Sequence, residues 1–139
     1  MVEVNNLTRY SLNETFFRKV AERVLAEEKQ KKELSIAFVT PQRSKELNAL
    51  YRKKDTVANV LSFSAGNERI PSEVEGYLGE VILCPSQIRK DAKKYGMIFE
   101  QALAWMLVHG ILHMVGYAHK KESNAAHMEQ KERVYLSHI

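Results

Sequence analysis

Residues 99–119 read FEQALAWMLVHGILHMVGYAH, and this stretch decides how the rest of the chain must be arranged. From Ala102 to Val115 the residues are apolar except where His109, Gly110 and His113 interrupt them. The run is shorter than the ~18 apolar residues of a membrane span. It reads as a helix buried in a protein core, and no membrane partner is expected. Its two histidines stand four residues apart, so a helix carries both on one face, about 6 Å apart along the axis. From there both rings can reach one ion at Zn–N distances of about 2.0–2.1 Å.

Gly116 follows at the point where a left-handed residue would end the helix and turn the chain back. That turn makes His119 the expected third ligand beside His109 and His113. Three protein nitrogens leave one position open, the arrangement of catalytic rather than structural zinc, at which the pKa of water falls to about 7. His127 and His138 have no such context and read as surface residues. The spacing also matches the zinc-protease pattern H-E-x-x-H-x-x-G-x-x-H, except that Gly110 stands where those enzymes carry their glutamate base. Glycine moves no proton, so a peptidase is a poor assignment.

Outward from this helix, the chain alternates strand and helix signals. Val2 and Val4 alternate with polar residues and predict a first strand. Ser11 and Glu14 are spaced as a capping box, and Leu12, Phe16, Phe17, Val20, Ala21, Val24 and Leu25 follow with helical spacing. Lys29, Lys31 and Lys32 are placed to complement the dipole at that helix's end. Leu34, Ile36 and Phe38 predict a second strand. Thr40 and Pro41 then open a helix that carries Leu47, Leu50 and Tyr51 inward. A third strand is expected over 57–63, a polar loop over 65–76 and a fourth strand over 78–84. Helices are expected over about 86–95, ended by Gly96, over about 99–115, and from about 123 onward. Early strands and late helices give an α+β single domain, with a small mixed sheet of about four strands packed against helices and a metal helix like that of the zinc proteases.

The composition fits one folded domain. Of 139 residues, 45% are hydrophobic and 27% charged, which excludes a disordered chain. The net charge of +4 suits a polyanionic partner such as RNA. Cys84 is the lone cysteine, so there is no internal disulfide and no cysteine-based zinc site. With a start that lacks a basic and then apolar leader, the expected location is cytoplasmic.

HGILHMVGYAH resembles the H-G-x-L-H-x-x-G-[YF]-D-H motif of the YbeY endoribonucleases, the rRNA maturation factor family. Leu47, Asn48, Tyr51, Arg52, Lys54 and Asp55, followed by Asn59-Val60-Leu61-Ser62-Phe63, resemble that family's L-N-x-x-[YF]-R-x-K-D-x-x-T-[DN]-V-L-S-F segment, and Leu78-Gly79-Glu80 its L-G-D strand. The departures are Ala118 and Glu80, each in place of aspartate, and Ala58 in place of threonine. Ala118 matters most, because a carboxylate partner on a ligand histidine is worth about 10- to 100-fold in metal affinity or activity. Glu80 is the candidate replacement.

The resemblance implies a zinc-dependent, single-strand-specific endoribonuclease. It would mature ribosomal RNA, including the 3′ end of the small-subunit 16S RNA, and serve ribosome quality control. One ion is implied, zinc first, with nickel or another divalent metal also suited to three imidazoles. The ribosomal RNA of the small subunit is the implied partner, with ribosome-associated proteins beside it. The resemblance also places Arg52 in the cleft, where a guanidinium fork can hold phosphate oxygens while the metal acts through an activated water or as a Lewis acid. Asn59 and Ser62 are candidates for the cleft lining, and Trp105 reads as packing. The rival reading is a noncatalytic RNA- or ribosome-binding factor in which the metal only staples the histidine loop to its helix.

Overall fold

The computed structural model describes residues 2–65, 76–116 and 122–137. Among them the order is β1 (Val2–Asn6), α1 (Glu14–Glu27), β2 (Glu33–Phe38), α2 (Pro41–Arg52), β3 (Val60–Ser64), β4 (Tyr77–Leu83), α3 (Pro85–Tyr95), α4 (Phe99–Met114) and α5 (Glu122–Ser137). The strands form one sheet in the order β1-β2-β4-β3. β1 and β4 flank β2 in parallel, and β3 pairs antiparallel to β4 at the edge. This is the α+β domain with a four-stranded mixed sheet that the sequence predicts.

Strand alternation sends side chains to two cores. Leu34, Ile36, Phe38, Val81 and Leu83 face the larger one, shared with α1, α3, α4 and α5. Ala37, Leu61, Phe63 and Ile82 face a smaller core closed by Leu47 of α2. The centre of the larger core is α4, where Leu103, Leu107, Val108, Ile111 and Leu112 are fully buried. No single helix among the described residues is long and apolar enough to cross a membrane.

Several local expectations need correction. The N-cap of α1 is Asn13, not Ser11: the Asn13 side chain accepts from the Phe16 N–H at 3.1 Å, so the helix starts later. α1 ends at Glu27, and Lys29 has φ 58°, so the three lysines lie beyond its last turn. Thr40 caps α2 as expected, accepting from Arg43 N–H at 3.2 Å. Leu50, however, is 69% exposed, and the inward positions of α2 are Ser44, Leu47 and Asn48.

β3 begins at Val60 rather than at Val57, because the preceding loop bonds to α2 instead of the sheet. Ser44 Oγ donates to Ala58 C=O at 2.7 Å and accepts from Ala58 N–H at 2.9 Å, while Asn48 Nδ2 donates to Thr56 C=O at 2.9 Å. These bonds fold residues 53–59 back on α2 and deliver β3 to the sheet edge beside the histidines. The expected loop over 65–76 lies mostly outside the described residues.

Candidate active site and metal centre

α4 crosses the sheet where β3 and β4 meet, and Gly110 makes the crossing close. A Cβ there would stand 2.8 Å from Val81 Cγ1, 3.0 Å from Ser62 Oγ and 3.2 Å from Val60 Cγ2. Ser62 Oγ also donates to the Gly110 C=O at 3.1 Å. The missing side chain therefore brings α4 down onto the edge strand. It also explains why a protease-type glutamate is absent: that position has no room for one.

His109 and His113, one turn apart, present near-parallel rings, 9° between planes and 6.5 Å between centroids. Both line a cleft of about 210 Å³ with Arg52, Val60, Leu61 and Ser62. Arg52 reaches it from the last turn of α2. Its Nη2 donates to Ser62 C=O at 2.8 Å, and its guanidinium lies 4.8 Å from the centroid of the Phe63 ring. A hydrogen bond and a cation–π contact together fix the charge on the cleft wall.

His109 has a buried partner on α5. Its Nδ1 lies 2.8 Å from Oε1 of Glu132, whose residue is 4% exposed, and Trp105 Nε1 donates to Oε2 of the same carboxylate at 3.1 Å. An ionised carboxylate only accepts, so against one His109 Nδ1 is the donor, and the neutral ring then keeps its lone pair on Nε2. That is the tautomer a metal ligand needs. α5 is held in place at α1 by Tyr135 Oη, which donates to Glu28, and by Lys131 Nζ at 3.6 Å from Glu28.

Of the expected site residues, the structure brings His109, His113, Arg52 and Ser62 together. Asn59 lies in the neighbouring groove with Arg52 and Lys54 rather than in the cleft itself. His119, Ala118 and His138 lie outside the described residues, and His127 is exposed as expected. Glu80 stands between Gly79 and Val81, which face α4, so alternation sends it to the α2 side of the sheet. The carboxylate on His109 is Glu132. Its signal was in the sequence: Met128, Glu132 and Tyr135 recur at i, i+4 and i+7, which puts a charge on the buried stripe of α5. Trp105 also does more than pack, since its indole N–H orients that carboxylate.

The donors fit a divalent ion. Two imidazoles share a face of one helix, and one is fixed in the ligating tautomer by a buried acceptor. Among the described residues no third His, Cys, Asp or Glu joins them. α4 ends at Met114, and Gly116 just beyond it has a φ of 115°, the positive value that the spacing predicts there.

Comparison with known proteins identifies the family and the fold. The sequence model of the family described as Endoribonuclease YbeY matches residues 3–139. Curated relatives named Endoribonuclease YbeY include one from Staphylococcus carnosus, 36% identical over 75% of this chain and 70% of its own length. Another, from Thermodesulfovibrio yellowstonii, is 39% identical over 76% of this chain and 66% of its own length. The solution structure of TM1509 from Thermotoga maritima superposes with a TM-score of 0.69 at 26% identity, covering 98% of this chain and 87% of that one. With the family matched over all but its first two residues, the chain belongs to the Endoribonuclease YbeY family.

Proposed function

We propose that the protein is a metal-dependent endoribonuclease that cuts single-stranded ribosomal RNA. In this reading it acts in the cytoplasm on the 3′ end of the small-subunit RNA and in ribosome quality control, alongside ribosome-associated proteins. The observation that carries the reading is that Arg52 and two ligand-type histidines wall the same small cleft. The relatives' name supports the reaction class, and the net charge of +4 suits a polyanion.

His109, His113 and His119 are the residues that would hold the ion, zinc or another divalent metal that accepts imidazoles. When bound, the ion supplies Lewis acidity toward a phosphoryl oxygen. Arg52 neutralises charge that develops on the phosphoryl oxygens, and its fixed position on Ser62 and Phe63 spares reorganisation during the reaction. Glu132 keeps the His109 lone pair turned away from α5. Water or the RNA 2′-hydroxyl serves as nucleophile, and the products separate the two, because 2′-hydroxyl attack leaves a 2′,3′-cyclic phosphate. Gly110 removes the general base a zinc peptidase needs.

The test is cleavage of a single-stranded ribosomal RNA fragment by the parent protein and by identically purified, folded His113→Ala and Arg52→Ala variants. The expected result is cleavage by the parent alone, abolished by chelation. Equal cleavage by all three identifies a contaminant. No cleavage by a metal-loaded parent overturns the nuclease reading in favour of a noncatalytic RNA-binding factor.

A further inference from the structure

The cleft does not end at Arg52. Arg52, Val60 and Leu61 also line an adjoining groove of about 540 Å³, whose other walls include Lys54, Asn59 and Asp91. Asn59 and Asp91 in turn form the rim of a third cavity, about 270 Å³, walled by Tyr95, Met97, Trp105 and Met106. The shared residues make one trough that starts at the histidines, follows the β3 edge and ends against α3 and α4. Asn59 precedes Ser62 by three residues, at most about 11 Å along the chain, a short reach for extended single-stranded RNA.

Its chemistry changes along the way. Cationic Arg52 and Lys54 suit phosphates in the first part. The far cavity is aromatic and apolar, and Tyr95 there is 67% exposed, with Lys94 Nζ 5.8 Å from its ring centroid. Asp91 is the one carboxylate among the described residues that line the trough. It is held in place by donors on both oxygens, Asn59 Nδ2 at 3.2 Å and Gln87 Nε2 at 3.2 Å. A carboxylate repels phosphate and only accepts hydrogen bonds, so on an RNA strand it pairs with donors, among which a base's exocyclic amine points away from the phosphates. An exposed aromatic ring beside it offers a stacking face.

We propose that this cavity is a nucleobase subsite of the trough. One unstacked base of a single-stranded RNA packs against Tyr95 and donates its exocyclic amine to Asp91. Cytosine carries that amine where uracil carries a carbonyl oxygen, which the carboxylate repels, so the subsite favours cytosine over uracil. The proposal rests on the endoribonuclease reading for its ligand class.

The test is equilibrium binding of short oligo(C) and oligo(U) RNAs, with chelator present to prevent cleavage, by the parent, Asp91→Asn and Tyr95→Ala proteins. Both substituted side chains are at least partly exposed, and unchanged thermal midpoints confirm folding. The parent is expected to bind oligo(C) more tightly than oligo(U), and Asp91→Asn to abolish or reverse that ratio. Tyr95→Ala is expected to weaken binding of both by roughly 5- to 150-fold, as loss of one stacked base does. A parent without the preference, an unchanged ratio in Asp91→Asn, or parental affinity in Tyr95→Ala overturns the subsite. If that happens while the parent still cuts ribosomal RNA, the nuclease reading stands. A parent that neither binds these RNAs nor cuts the ribosomal fragment overturns both.

Discussion

Oε1 of Glu132 lies 2.8 Å from Nδ1 of His109, so the last helix of the chain sets the tautomer of a histidine 23 residues earlier. Substituting Glu132→Gln keeps the volume but adds an amide that can donate to Nδ1. The ring proton then moves to Nε2, the atom a metal needs free. The expected loss in metal affinity is about 10- to 100-fold, read by titration against a chromophoric chelator. Parental affinity in Glu132→Gln would show that the bond does not govern ligation. Glu132→Ala should in addition lower stability by about 1–3 kcal/mol, since it removes the acceptor that Trp105 Nε1 and His109 Nδ1 share.

The helix that carries His109 and His113 was legible because its information is local. Two histidines at i and i+4, a glycine at the following turn and an apolar surround belong to one stretch of sequence. Arg52 was legible only through the family motif, since a helix-end arginine beside Lys53 and Lys54 has no pattern of its own. Glu132 is hard to read from sequence because its partners sit on another helix, although its place on a buried stripe marks it. β3 starts later than the sequence suggests because Val57 and Ala58 have strand-like side chains, while Ser44 and Asn48 capture that backbone from α2. Leu50 shows the same limit: its apolar side chain predicts burial, and the turn of α2 carries it outward.

Gly110 has a packing role that no residue with a side chain could fill. A Cβ would stand 2.8 Å from Val81 Cγ1, on a short β-branched side chain that is itself fully buried. Either α4 lifts from the sheet or Val81 leaves its rotamer. Gly110→Ala is therefore expected to destabilise the fold by about 1–3 kcal/mol, despite alanine's better helix propensity. Denaturant unfolding measures it, and a stabilised variant would mean that the helix has room to shift.

Cys84 sits at the start of α3, 1% exposed. Burial pushes its thiol above the ordinary value of 9.0, with the backbone N–H groups of Gln87 and Ser86 and the charge of Lys90 offsetting part of the effect. The folded protein therefore holds this proton to higher pH than the unfolded chain does. The stabilisation is complete below the unfolded pKa and is lost as pH rises through the folded one. Compared with Cys84→Ala, the parent should lose stability more steeply above about pH 9, and its thiol should resist alkylation until the protein unfolds. Rapid labelling of the native protein would contradict the buried, protonated thiol.

Arg52 separates charge from geometry. Its guanidinium donates to Ser62 C=O and lies over Phe63, an arrangement in which a planar fork can brace against the protein while presenting its charge to a phosphate. Lysine keeps the charge but concentrates it on one nitrogen, which cannot reproduce both contacts. If Arg52 stabilises the transition state, Arg52→Lys should lose roughly 10²- to 10³-fold in kcat, nearly as much as Arg52→Ala, with a smaller change in KM. If it only anchors the RNA, KM should rise while kcat persists, and lysine should rescue most of the binding. Steady-state cleavage of a short single-stranded RNA, with thermal midpoints confirming folded variants, decides between these outcomes. A parental kcat in Arg52→Lys would reduce Arg52 to a binding contact and leave charge neutralisation in the cleft to the metal alone.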